Sequence, residues 1–311
     1  MGKRGTILGR GWWAAAWLAA GCGVEAPGGA VSNPAWLDAE GGEVAGGGDA
    51  GLGSLGRGND GGAEAGGVDA VSGDAAGGDV VATSSEYYAF WQQARRLAKN
   101  PSPFGEAWQE TRTTSIGLVK VDWQGSQGAA YSHTCAVTSN PAFSSQLTYP
   151  AAFINALAAG PLPLVRAGGE VELQASTTWL GLQSGYAGAM PGVGDGKHAA
   201  VVDADSDGKP GATVYIDAPI LGQQAIYVVQ RNTSAWKAPL QADGSLHPLP
   251  SGAMEQVTVG ATSSILVAED VGKPLPGVAP VELHWRPVAA NLTCAALVAK
   301  AAELTGQAWP P

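Results

Sequence analysis

The chain has 311 residues, 45% of them hydrophobic, with 46 glycines and a formal net charge of -10. That acidic balance argues against a nucleic-acid partner, which calls for basic patches, and the uneven spread of glycine points to more than one kind of chain.

Residues 1–22, MGKRGTILGRGWWAAAWLAAGC, place Lys3, Arg4 and Arg10 ahead of an apolar run from Trp12 to Ala20, then small residues before Cys22. This is the layout of an export signal. The run is about half of the roughly 20 residues a membrane-spanning helix needs, and no later segment supplies a longer one. Residues 23–83 are rich in Gly, Ala and Asp, with almost no large apolar side chain and ten acidic residues against the single base Arg57. Such a segment buries too little surface to offset its ordering entropy, so the composition predicts a disordered tether with an end-to-end distance of roughly 45 Å.

The segment LAAGCG around Cys22 resembles a bacterial lipobox, although Ala19 stands where leucine is commonest and Leu18 lies one place further out. The resemblance implies that Cys22 is acylated. It is similar in this to Gram-negative surface lipoproteins, and Gly23, rather than Asp, after the cysteine implies delivery to the outer membrane.

A folded domain is expected over 84–311, mainly β, as an antiparallel barrel or a two-layer sandwich with three helices. The first helix is predicted at TSSEYYAFWQQARRLAKNP, where Thr83 and Glu86 have capping-box spacing and Tyr87, Phe90, Trp91, Ala94 and Leu97 recur at helical intervals. Strands follow at SIGLVKVDW, SHTCAVTS, GEVELQAS, ATVYID, QAIYVVQR, EQVTVG, SSILVAED and PVELHWRP, each alternating with period two and bounded by Gly, Pro, Asn or Asp. A second helix is predicted at YPAAFINALAAG, opened by Pro150 and stopped by Gly160, and a third at NLTCAALVAKAAELTG, capped by Asn291 and ended by Gly306. The later strands resemble the meandering hairpins of calycin-type barrels.

With Cys22 acylated, Cys135 and Cys294 form an even remainder, which in an exported protein reads as a disulfide. In DADSDGKPG, Asp203, Asp205 and Asp207 occupy alternate positions before Gly208, so their carboxylates can converge on one hard cation, with the carbonyl of Lys209 as a further ligand. The pattern resembles the short DxDxDG loops of FG-GAP and thrombospondin type 3 repeats and implies Ca2+. Gly211 stands where FG-GAP loops often carry another Asp, and Val214 takes the place of the bidentate Glu of an EF-hand, which excludes a functional EF-hand. Asp195 or Asp217 are then candidates to complete the site. The competing reading is a solvated acidic turn.

No catalytic constellation stands out. Ser184 lacks the preceding glycine of a nucleophile elbow, GVGDGK before His198 is followed by strand rather than helix, and His133, His198, His247 and His284 show no metal-ligand spacing. Asn232 and Asn291 sit in glycosylation sequons that the bacterial-looking signal leaves without a use. The expected function is therefore a monomeric, lipid-anchored, exported binding or structural module, its ligand a small molecule, glycan or protein, with Trp123, Trp179, Trp236 and Trp285 as candidate cavity walls. The alternative is an exported hydrolase using carboxylates such as Glu170, Glu172 or Asp217. An enzyme should gather titratable side chains in one pocket, whereas a binder should show an apolar cavity with few of them.

Overall fold

Strand follows strand along the chain because short β-branched and aromatic runs are cut by turn residues faster than a helix can propagate. The computed structural model describes residues 83–102, 105–139, 146–218, 222–267, 272–273, 275–277, 279, 281–307 and 309. The expected export signal, Cys22 and the expected tether lie outside them, apart from Thr83. Among the described residues, eleven strands form one antiparallel sheet: β1 (Thr83–Ser102), β2 (Gly105–Gln124), β3 (Gln127–Ser139), β4 (Gln146–Thr148), β5 (Ala159–Ala167), β6 (Glu170–Leu180), β7 (Ala212–Ala218), β8 (Gly222–Pro239), β9 (Ser251–Ala261), β10 (Gly272–Lys273) and β11 (Val281–Pro287). Three short helices complete the described chain: α1 (Ala151–Ala156), α2 (Cys294–Ala299) and α3 (Ala301–Thr305).

The first predicted helix is instead the long strand β1, paired with β2 from Thr83↔Gln124 to Ser102↔Gly105. The reason is burial on both faces. Tyr88 and Phe90 point into the interior of the sheet while Ala89 and Trp91 lie under the C-terminal helices, so both parities are apolar and the two-residue period disappears. Glu86, expected to cap a helix, accepts from the Tyr88 hydroxyl at 2.7 Å and from Arg166 at 2.9 Å instead. SSILVAED is not a strand in its described part, which forms a 3-10 turn at Ser264–Leu266. The second and third helices are present but shorter than expected: Pro150 caps α1 from outside, and the C-terminal segment breaks at Lys300 into α2 and α3. Thr293, not Asn291, caps α2, its side chain accepting from the Ala296 N–H, and Gly306 ends α3 at φ 73°.

The sheet coils on itself. β1 carries β2 on one side and β10 and β11 along the other, whereas β8 carries β6 and β7 end to end on one side and β9 on the other. Side chains from β1, β2, β3, β5, β6, β8 and β11 consequently meet in one interior, centred on Trp123, Trp236 and Trp285. The sheet is not closed and so fits an open barrel or a two-layer sandwich, hereafter an open barrel: β9 and β11 are not paired, and the seam between them is bridged by the backbone pair Leu246–Trp285 and by Met254 packing on Ala94 and Val281. One end is plugged by α1, whose Phe153 and Ile154 pack on Leu180, Val214 and Val228. At the other end the Arg166 guanidinium lies 4.1 Å over the Trp123 ring and pairs with Glu86.

Outside the barrel, α2 and α3 cover Trp91, Ile116 and Leu118, and the Cys135–Cys294 disulfide, with its Cα atoms 5.1 Å apart, ties them to β3. The expected bridge is therefore present. It joins residues 159 positions apart, a loop whose closure restricts the unfolded chain by about 5 kcal/mol in the chain-entropy account. The segment between β6 and β7 folds over β8 and β9, where Leu182, Ala200, Tyr227, Val229 and Val259 cluster. No helix among the described residues is long and apolar enough to cross a membrane.

Candidate functional site

A barrel of this size normally fills its interior with branched apolar side chains. Here the sequence places short or hydroxylated residues at successive inward positions, and the interior is hollow. A cavity of about 150 Å³ lies in the lumen, walled by Phe90, Val119, Leu173, Trp236, Leu283 and Trp285 and belted by Gln92, Ser115, Ser132, Thr134, Thr178 and Ser234. Leu157, just beyond α1, roofs it, and Pro250, one residue before β9, borders it at the seam. Asn232 completes the belt and also lines an adjoining pocket of about 40 Å³ beside Met254.

On β3, alternation from Ala130 turns Ser132 and Thr134 inward and Cys135 outward to its disulfide, the register shift against β2 between Ile116 and Gly117 falling just beyond Thr134. On β6 the register with β8 shifts between Leu173 and Ser176, which brings Thr178 and Leu180 to the inner face and sends Trp179 outward, where its indole donates to the Tyr186 carbonyl at 2.9 Å. Of the four tryptophans offered as cavity walls, Trp236 and Trp285 line the cavity, Trp123 packs in the core below, and Trp179 is outside. The Trp236 and Trp285 rings meet edge to face, with centroids 5.2 Å apart.

Electrostatically the lumen is neutral: no Asp, Glu, His, Lys or Arg among the described residues lines the cavity. The carboxylates of the hydrolase reading stand elsewhere. Glu170 pairs with Lys237 at 2.6 Å on the surface, and Glu172 and Asp217 are exposed. His247 and His284, 37 residues apart in the sequence, do come together, with ring centroids at 4.6 Å, and burial and the His247 charge lower the His284 pKa. Nothing in their sequence spacing signals that contact. One polar atom is conspicuous: the side-chain carbonyl oxygen of Asn232 is buried without a hydrogen-bond partner, while its backbone carbonyl accepts a long bond from Thr178.

The aspartate loop lies elsewhere, between the β6–β7 crossover and the start of β7. Asp203, Asp205 and Asp207 each offer a carboxylate oxygen within 4.8 Å of the others, an arrangement that could hold a metal ion. The turn is built by its own backbone: Asp203 accepts from the N–H groups of Asp207 and Gly208, and Asp207 from that of Lys209. Thr213, unremarked in the sequence, donates its N–H to Asp205 at 2.8 Å and its hydroxyl to Asp207 at 2.6 Å. Asp205 Oδ1 is left buried without a partner. Partial burial, reinforced by Asp207 and Asp203, raises the Asp205 pKa against the lowering effect of the Thr213 N–H.

Both departures from the DxDxDG pattern have structural reasons. Gly211 has φ 84°, pairs with Asp203, and a Cβ there would lie 2.5 Å from the Val228 carbonyl oxygen, so no aspartate fits. Val214 is fully buried against α1, facing away from the loop. Neither Asp195 nor Asp217 joins the carboxylate group among the described residues, whereas Lys209 shares the loop. Compared with known proteins, the chain matches no family model, no curated protein and no solved structure.

Proposed function

We propose that the chain is a lipid-anchored, exported binding module that holds a small ligand in the lumen of its open barrel. The observation that carries this reading is the hollow, uncharged interior: small polar residues occupy inward positions that a purely structural core would fill, and no titratable group among the described residues faces the space they leave. Acid–base or nucleophilic hydrolysis needs at least one such group at the reacting atoms. In this reading Cys22 is acylated, residues 23–83 hold the barrel off the outer membrane, and the protein works as a single copy.

Calcium belongs to the same proposal as a structural ion. Asp203, Asp205 and Asp207, with the Lys209 carbonyl and water, would supply the oxygen donors that Ca2+ prefers, and the ion would neutralise three clustered carboxylates. It would stiffen the crossover that covers β8 and β9. It has no contact with the lumen and no part in holding the ligand.

The test is native mass spectrometry of the acylated full chain released from its membrane in mild detergent, beside a Ser234→Phe variant that fills the lumen. Extra mass from a small molecule on the wild type and none on the variant is the expected result. A wild type that carries nothing, and whose melting temperature no neutral small molecule raises, contradicts the proposal.

A further inference from the structure

Residues 240–250 run from β8 to β9 as a strap across the seam, and one antiparallel backbone pair holds the strap to β11. The Leu246 N–H donates to the Trp285 carbonyl at 2.9 Å, and the Trp285 N–H to the Leu246 carbonyl at 2.8 Å. The next pair along, where no backbone bond forms and opposed side chains stand closest, is His247 opposite His284. Their rings meet edge to face with centroids 4.6 Å apart. We propose that this pair is an acid-sensitive latch on the seam: as neutral rings they pack together and hold the strap on β11, and in mildly acid solution they take up protons, repel and release the Leu246–Trp285 pair.

Histidine is the side chain whose charge changes in this range. His247 is exposed on the strap, whereas His284 is half-buried and also meets the Trp91 ring of β1, with centroids 5.4 Å apart. The charged groups around the pair come from three elements. β11 itself carries Glu282 and Arg286; the strap carries Asp243, close enough to Arg286 to feel its charge; and α3, packed against β11, carries Glu303, with Lys300 just before it. β1 opposes His284 and Glu282 with the neutral Trp91 and Gln93. Burial, then His247, hold the His284 pKa below its ordinary value, with Arg286 adding to the effect and Glu282 opposing it. The closed seam therefore takes up fewer protons than the open one. Its hold is complete above the ordinary histidine value of 6.5 and is lost as pH falls from there through the lower value of the closed form.

Little else spans the seam among the described residues: Met254 packs on Ala94 and Val281. Leu246 sits in the barrel core and Trp285 is a wall of the lumen, so release of this one pair loosens one side of the cavity. The latch depends on the seam alone and not on whether the lumen holds a ligand.

Hydrogen exchange of the full chain, resolved to single residues by mass spectrometry at about pH 7.5 and about pH 5 and corrected for the intrinsic rate at each pH, tests the latch. Protection of the Leu246 and Trp285 amides should fall by about tenfold in acid, the lower part of the range for two like charges this close at a protein surface, while the β1–β2 ladder keeps its protection. His284→Gln should abolish the fall, and His247→Gln should keep only the part that burial of a lone His284 causes. Ladder protection at neutral pH shows that each variant is folded. Seam amides unprotected at neutral pH, or equally protected at both pH values in wild type, overturn the latch whatever the variants do. So does a fall that His284→Gln retains or that His247→Gln leaves undiminished, and so does a ladder that loses protection in step with the seam, which is acid unfolding of the whole domain.

Discussion

Removing one carboxylate from the aspartate loop separates an ion site from a solvated turn. Asp205→Asn is the informative change, because the introduced side chain keeps a carbonyl oxygen for the Thr213 N–H bond made by Asp205 while its amide nitrogen replaces the buried, unpartnered Oδ1. Without divalent ions the variant should be at least as stable as wild type, since it loses a charge held beside Asp203 and Asp207. Calcium should reverse the order. At a hundredfold excess over the dissociation constant, an ion bound only by the folded state stabilises wild type by about 2.7 kcal/mol, or about 5–11 °C for a domain of this size. If losing one ligand weakens affinity about tenfold, the variant keeps about 1.4 kcal/mol, half the response. The assay is a thermal melt of both proteins with calcium and with chelator. Four coincident curves would refute the reasoning and leave DADSDG as a turn.

The remaining expectations concern the bridge, the anchor and pH. Cys135→Ser and Cys294→Ser should each lower stability by up to about 5 kcal/mol, and the double variant should be no worse than either single one, as chemical unfolding will show; two titratable thiols in the oxidised protein would end that claim. Wild type should partition into a detergent phase and Cys22→Ser should not, equal partitioning being evidence against acylation. The raised Asp205 pKa makes its contribution fully present below the unfolded carboxylate range and lost as pH rises through the folded value. In chelator, wild type should therefore lose stability relative to Asp205→Asn between acid and neutral pH, and a constant difference across that range would contradict the shift.

Much of the architecture could be read in the sequence because short β-branched and aromatic runs are bounded by turn residues, and where a strand is half-buried it also declares itself by alternation. PVELHWRP in β11 shows that alternation, whereas SIGLVKVDW in β2 and QAIYVVQR in β8, buried on both faces over part of their length, are marked by composition and bounding turns. Burial on both faces erases the same signal in β1, leaving an aromatic spacing that a helix would also produce. The loop aspartates are legible because their ligand chemistry is local. Thr213 is not, since its role depends on how β7 returns past the turn. The lumen is the least legible feature: Ser115 and Ser132 look like ordinary strand residues although they share a face with Val119 and Ala130, Thr178 points inward only because of the bulge on β6, and Asn232 looks like part of a sequon. A faint trace exists in Asn232, Ser234 and Trp236, whose alternation puts two small or polar side chains on the same face as a tryptophan.

The central claim is that the hollow interior is a binding site, and a crystal structure of the protein soaked in 4-bromophenol tests it most directly. The account predicts an anomalous bromine peak within the lumen, with the ring beside Trp236 and Trp285. Bromine found only on the outer surface, with ordered water alone filling the lumen, would contradict it.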